Sequence, residues 1–346
     1  MAYTTIDDPE AHFQVQLYTG DGAANHAITL GGNTDMQPDL VWIKNRDATD
    51  SHCVFDSVRG ATKLLHMDNT DAETTDTDTL DSFTSDGFQV DADVKVNTSS
   101  EDYIAWCWKA GTTSGISGGS LTPSSYSINT TSGFGVYAYT GTGANANIAH
   151  GLGIVPGLVT HRELDATGYW VTYNKGAGNT VAMFMNTTQA VVDDASYFND
   201  TTPTSSLFYV GSNGHLNEDS KSYIAYAFAP VQGFSKFGSY TGNVNVDGQF
   251  IYTGFRPAFL MIKRSDSTDN WEMYDSKRLG WNGLYQNLYS QANETDAELS
   301  NHLVDLLSNG FKLRLTAAAL NNGDYIYAAF AEAPFVNSEG VPCNAR

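Results

Sequence analysis

Tyr18-Thr19-Gly20, Tyr139-Thr140-Gly141 and Tyr240-Thr241-Gly242 each close a short strand-like run, at residues 13–17, 134–138 and 234–239. A proline then opens a second run 17 to 20 residues after each tyrosine: Pro38-Asp39-Leu40-Val41-Trp42-Ile43-Lys44, Pro156-Gly157-Leu158-Val159-Thr160 and Pro257-Ala258-Phe259-Leu260-Met261-Ile262-Lys263. A third shared run follows 65 to 68 residues later: Tyr103-Ile104-Ala105-Trp106, Tyr223-Ile224-Ala225-Tyr226 and Tyr325-Ile326-Tyr327-Ala328. The offsets are 121 and 101 at the first mark and 120 and 102 at the last, so two independent measures agree on the period. Self-similarity of this kind defines three copies of one structural unit.

Finer marks tie units one and three. Phe55-Asp56-Ser57-Val58-Arg59-Gly60 matches Tyr274-Asp275-Ser276-Lys277-Arg278 with Gly280 beyond, and Asp71-Ala72-Glu73 matches Asp296-Ala297-Glu298. Ser85-Asp86-Gly87-Phe88 matches Ser308-Asn309-Gly310-Phe311, a hairpin signal because both turn residues tolerate positive φ. Short alternating runs separated by turn chemistry predict an all-β protein, built as three tandem antiparallel β-sandwich repeats. The units span 1–111, 133–232 and 233–336, with a Gly/Ser/Thr-rich linker at 112–132 and a tail at 337–346. The linker composition suits a flexible or extended spacer. Units two and three lack one, so residues 223–240 are expected to hold them rigidly together. The one helix-like pattern, 296–307, aligns in its second half with a strand and predicts a short helix at most. Along Ile104-Ala105-Trp106-Cys107-Trp108, strand alternation puts both tryptophans on one face and Cys107 on the other, both buried.

The 346 residues carry 18 Lys+Arg against 39 Asp+Glu, a net charge of −21, which excludes a nucleic-acid binder driven by phosphate neutralisation. Only 16% of residues are charged while 41% are hydrophobic, so the polarity is mostly Thr, Ser, Asn and Gly between apolar runs. No apolar run approaches the ~20 residues that cross a bilayer, and residues 1–8 are acidic where a signal peptide would be basic. A soluble chain without membrane insertion is expected. Cys53, Cys107 and Cys343 are too few and too far apart for a disulfide or zinc framework.

Catalytic signatures fail on context. Gly115-Ile116-Ser117-Gly118-Gly119 has the letters of a hydrolase elbow but neither the strand before it nor the helix after it, and Gly151-Leu152-Gly153 lacks a βαβ setting. Eleven carboxylates crowd residues 68–102 (Asp68, Asp71, Glu73, Asp76, Asp78, Asp81, Asp86, Asp91, Asp93, Glu101, Asp102) against Lys95 alone. Such crowding is relieved by solvent or by a hard cation, so Ca²⁺ between Asp68 and Asp81 is the single cofactor to consider and a solvated loop the simpler expectation. Asp76, Asp78 and Asp81 mimic the acid spacing of jelly-roll glucanases, but their partners are threonines in a loop. Glu272 and Asp275 read as strand polarity. Trp170, Tyr173, Trp281 and Tyr285 lie nearer turns than the other aromatics and are the candidate glycan platforms. No catalytic or metal-binding residues are assigned, and no enzyme activity is expected.

With these motifs in view, the chain resembles a repeat family of marine tailed-phage virion or tail-fibre-like proteins. The resemblance rests on residues 38–46, Asp56-Ser57-Val58-Arg59-Gly60, Ser85-Asp86-Gly87-Phe88, residues 105–110, Phe228-Ala229-Pro230-Val231, residues 235–242 and residues 329–335, and covers nearly the whole chain. It implies lectin-like sandwiches of jelly-roll, concanavalin-like type, and a non-enzymatic virion structural protein assembled in the bacterial host cytoplasm. A tail-associated fibre or adhesion module contacting a host glycan or receptor is the first expectation. A capsid, neck or tail-tube decoration protein is the alternative. Other virion proteins and further copies of the chain are the implied partners.

Overall fold

The computed structural model describes residues 2–279, 286–298 and 303–344, and in them each sequence unit becomes an antiparallel sheet of matching strand order. The first strand of each unit (Phe13–Thr19, Phe134–Thr140, Ser235–Thr241) pairs with the last (Asp102–Trp108, Ser222–Phe228, Asp324–Pro334). That last strand pairs on its other side with the strand at the proline mark (Leu40–Asn45, Leu158–Glu163, Phe255–Arg264). Tyr18, Tyr139 and Tyr240 therefore occupy equivalent strands. A smaller sheet accompanies each large one: His26–Thr29, Gly87–Val90 and Leu80–Thr84; Ala146–Ala149 and Leu207–Val210; Phe250–Tyr252, Gly310–Leu313 and Val304–Leu307. The last of these is the second half of the helix-like pattern, and it is strand; residues 299–302 lie outside the described residues.

Each repeat mark has a physical reason. The tyrosines of the first and third marks sit opposite one another and stack, at 5.0, 5.2 and 4.9 Å between ring centroids. Their hydroxyls donate to carbonyls of a one-turn helix (Val94–Asn97, Gly214–Asn217, Ala318–Asn321), as in Tyr18 to Val96 O at 2.8 Å and Tyr240 to Leu320 O at 2.8 Å. The glycine of the first mark packs against that same turn: a Cβ on Gly20 would stand 2.2 Å from Thr98 O, and one on Gly141 2.1 Å from Glu218 O. Asn97, Asn217 and Asn321 end the turns, fully buried, and accept the amides of Asp21, Thr142 and Asn243, each the residue just after the glycine of the first mark.

Two residues beyond that glycine, Gly22 and Gly143 hold φ of 71° and 68°, and the equivalent residue of unit three, Val244, holds 53°. A β-branched residue in the left-handed region costs on the order of 1–3 kcal/mol. Val244→Gly is expected to raise stability by about 1 kcal/mol in denaturant titration; a loss of stability would contradict the strain.

Alternate residues divide between two cores. One face of each large sheet packs on its own small sheet: Val41, Ile43, Tyr103 and Cys107 with Ile28, Phe88 and Val90 in unit one, and Tyr137, Tyr139 and Val159 with Ile148, Phe208 and Val210 in unit two. The opposite faces of all three sheets meet in one shared cluster that includes Trp42, Trp106 and Trp108, Leu158, Tyr226 and Phe228, and Phe259, Met261 and Phe330. Both tryptophans thus oppose Cys107, and all three are buried. At the centre stand Trp108, Phe228 and Phe330, each five residues after its unit's tyrosine, with ring centroids 5.8, 5.5 and 5.4 Å apart. They border a cavity of about 40 Å³ lined mostly by large apolar side chains.

Three equivalent backbone bonds join the units in a ring: Glu73 N to Leu164 O at 3.0 Å, Val191 N to Ser265 O at 3.1 Å, and Asp296 N to Arg46 O at 2.8 Å, the last closing unit three onto unit one. They align Asp296 with Glu73 rather than with Asp71, two residues away from the match the sequence suggests, because the strands that follow, Thr74–Thr75 and Ala297–Glu298, are the equivalent ones. Trp170 Nε1 donates to His66 O across the first junction and Trp271 Nε1 to Phe184 O across the second. The units are therefore three sectors around a pseudo-threefold axis.

The Gly/Ser/Thr-rich stretch is extended and pinned to unit two. Ser125–Asn129 adds a strand beside Phe134–Thr140, and Ser120 and Leu121 donate to Asn147 O at 3.1 and 3.0 Å. Of the flexible and extended forms its composition allows it takes the extended one, because Leu121 and Ile128, both buried, anchor the segment. At the other boundary Val231 and Phe234 enter the shared core, as a rigid connection requires.

Candidate functional site

The aromatic residues expected at turns are distributed differently in space. Trp170 and Tyr173 are buried, Trp170 in the shared core stacked on Tyr226 and Tyr173 in unit two's own core, so neither offers a face to a sugar. Strand position explains this: Trp170 immediately precedes Val171–Asn174, whose residues all face protein. Trp281 and Tyr285 lie outside the described residues.

The crowded carboxylates are dispersed among separate tasks. Asp68 accepts the His52 amide at 2.8 Å, Glu73 meets Arg59 at 3.1 Å, Asp91 accepts the Asn25 amide at 3.2 Å, and Asp93 both caps a helical turn and binds Lys95 at 2.8 Å. Asp76 accepts the Asp78 amide at 3.0 Å in a local turn. Among the described residues no group of three or more His, Cys, Asp or Glu side chains converges as a metal site would. Added Ca²⁺ is expected to leave the thermal midpoint unchanged; a reproducible rise of several degrees, reversed by a chelator, would place a cation among these carboxylates. Asp275 is buried against Arg278 at 2.6 Å, and Glu272 accepts the Tyr274 hydroxyl at 3.1 Å, so this pair is structural.

One position separates unit two from its siblings. Lys44, Arg162 and Lys263 are equivalent, since Leu40, Leu158 and Phe259 each oppose the central aromatic four residues earlier. All three are fully buried. Lys44 Nζ donates to Asn45 O and, at 2.9 Å, to Ala48 O; Lys263 Nζ donates to Arg264 O at 2.6 Å. Burial pushes both lysines down to about 8. They bind protons less tightly folded than unfolded, so the cost of burying charge is full below about pH 8 and fades as pH rises toward 10.5. The thermal midpoint should therefore rise between about pH 7.5 and 9.5. A flat profile, or the same rise in Lys44→Met/Lys263→Met, would refute this.

Arg162 reaches across the first junction instead. Its Nη2 donates to Thr70 O at 2.7 Å and to Asp71 O, while Nε and Nη1 have no protein partner. Burial brings the guanidinium down to about 10. A Cβ at Gly168 would stand 3.0 Å from Arg162 Nη1 and 3.4 Å from His215 Nδ1, so any side chain here would push the guanidinium aside by a few tenths of an ångström. Alongside lies a cleft of about 420 Å³, lined not by Arg162 itself but by residues that include Glu163, Tyr197, Asn213, His215, Glu218 and Lys221. Glu163 Oε1 also lacks a partner, and burial raises the carboxyl above its ordinary range. Burial and the Arg162 charge lower His215. The cleft combines donors, acceptors and the edge of an aromatic ring, the set that orients a hydroxyl-rich ligand. None of these lining residues was singled out by sequence. The available signal was Arg162 standing where its siblings carry lysine.

The architecture is thus that of an all-β chain of three like sectors with one distinctive cleft. The chain belongs to the family described as Domain of unknown function (DUF7483), whose model matches residues 8–334, all three sectors together. No curated protein matches it. No helix among the described residues is long and apolar enough to cross a membrane.

Proposed function

We propose that the chain is a non-enzymatic structural protein of a bacteriophage virion, a tail-associated adhesion module in which three jelly-roll, concanavalin-like sandwiches form a rigid base and the unit-two cleft faces a host-surface glycan. The observation that carries this reading is the contrast between frame and periphery. The stacked tyrosines, buried asparagines and central aromatics repeat in every sector, whereas Glu163 and His215, which line the unit-two cleft, and Arg162 beside it stand where unit one has Asn45, Lys95 and Lys44. Divergence of individual side chains on a fixed scaffold fits recognition. The alternative, a capsid, neck or tail-tube decoration protein, draws on the ring closure, which makes a compact body of one chain rather than an extended fibre.

Cryo-electron microscopy of an intact particle tests the placement. A few copies around the tail agree with adhesion, and copies spread over the capsid lattice favour decoration. Purified protein should block adsorption to host cells, and Lys221→Ala/His215→Ala should lose that block while keeping the native thermal midpoint. Unchanged blocking by the variant would remove the cleft from the reading.

A further inference from the structure

The three sectors present three equivalent edge strands on their small sheets, aligned by Ile28, Ile148 and Ile251, which oppose Phe88, Phe208 and Phe311. In unit two this edge is occupied: Ser120 and Leu121 lie along it, bonded to Asn147, and bury Leu121. In unit one the flanking residues are the small Ala27 and Thr29. In unit three they are Phe250 and Tyr252, 43% and 47% exposed. The loop leading to that strand adds Val244 and Val246, 54% and 67% exposed, so four of the eight large apolar side chains exposed among the described residues fall within residues 244–252. Val244 is also the residue held in left-handed backbone where both siblings have glycine. Strain and exposed apolar area thus coincide at one sheet edge that carries no further strand among the described residues, where Lys236 Nζ donates to Tyr252 O at 2.7 Å and the Tyr3 and Tyr252 hydroxyls bond at 2.9 Å.

We propose that this edge is a dimer contact, the Phe250–Tyr252 strand pairing antiparallel with its counterpart in a second copy about a twofold axis. Two features select a second copy. An antiparallel strand edge is self-complementary under a twofold, which is the commonest symmetry of homo-oligomers. The rim carries both signs of charge: Asp247, 75% exposed on its side chain, lies 2.7 Å from Lys312 and 3.5 Å from Arg314, and Lys236 stands over the Tyr252 ring at 5.2 Å. A copy turned by a half-rotation meets that mixed rim with acid facing base. Unit two supplies the precedent within the molecule, since there the same edge accepts an added extended segment. The proposal locates the copy-to-copy contact of the particle component proposed above, and rests on that reading only for the idea that copies meet.

Sedimentation velocity of the purified full chain from about 1 to 100 µM tests it without any particle, so its outcome is separate from the question of placement. A concentration-dependent shift from monomer to dimer is expected. Phe250→Asp and Tyr252→Asp should each weaken it at least tenfold, while Ala27→Asp and Thr29→Asp on the unit-one edge should not. In the unsubstituted chain, amide exchange at residues 250–252 should slow as concentration rises. A monomer throughout the range, or a dimer that ignores both unit-three substitutions and leaves exchange at 250–252 unchanged, would overturn the proposal, even if the patch then proved to bind a different protein.

Discussion

Arg59→Ala is expected to destabilise the fold by about 3–5 kcal/mol, among the largest effects of any single substitution. Arg59 and Asp56 have side chains 3% and 0% exposed, and the arginine also meets Glu73 at 3.1 Å and the carbonyls of Lys63 and Val54. Removing it leaves Asp56 buried without its counter-ion, and the Tyr226 hydroxyl, which donates to Asp56 across the first junction at 2.8 Å, does not replace that charge. Unit three repeats the arrangement with Asp275, Arg278 and Asp296, the last also bonded to Arg46 of unit one at 3.0 Å. Unit two dispenses with it altogether, having Asn174, Ala177 and Val191 at the equivalent positions. The triple variant Asp56→Asn/Arg59→Ala/Glu73→Val copies that solution and should be more stable than Arg59→Ala alone, because it leaves no buried charge unpaired. Urea titration of the three proteins measures both differences. A cost under about 1 kcal/mol for Arg59→Ala, or a triple variant no better than the single, would show the network contributes little.

Trp108→Ala should cost a comparable 3–5 kcal/mol, with a consequence that a core residue of an isolated domain would not have. Trp108 touches Phe13 of its own unit, Phe228 of unit two, and Phe259 and Phe330 of unit three, at 4.9 to 6.1 Å between rings. Its loss therefore opens a void on the axis rather than within one sector. Hydrogen exchange should accelerate together at the stacked tyrosine pairs of all three units. Acceleration confined to residues 13–108 would mean the sectors are stabilised independently.

Much of this frame is legible in the sequence because it is imposed by local geometry. A tyrosine stacked on its cross-strand partner, and a glycine where a Cβ would stand only 2.2 Å from a carbonyl oxygen, admit few alternatives, so they recur three times and announce the repeats. The shared core is not legible in the same way. Trp42, Trp106 and Trp108 alternate along strands just as they would in an independent sandwich, and nothing in their spacing says that the second face meets two other sheets rather than one. The linker's composition allows a flexible or an extended path, and Leu121 and Ile128, buried apolar residues in a polar run, decide for the extended one. Trp170 was read as turn-proximal and is instead a junction residue, whose indole donates to the neighbouring unit. The cleft escaped because Glu163 in its wall is marked by the partner it lacks, and the missing partners of a side chain are visible only once the fold surrounds it.

Differential scanning calorimetry of the full chain tests most directly the claim that three sectors form one body about a common core. A single transition is predicted, with van't Hoff and calorimetric enthalpies in a ratio near one, and Trp108→Ala should move that whole transition to lower temperature. Separate transitions, or a ratio near one third with only one component displaced by Trp108→Ala, would contradict the account and make the units beads on a string.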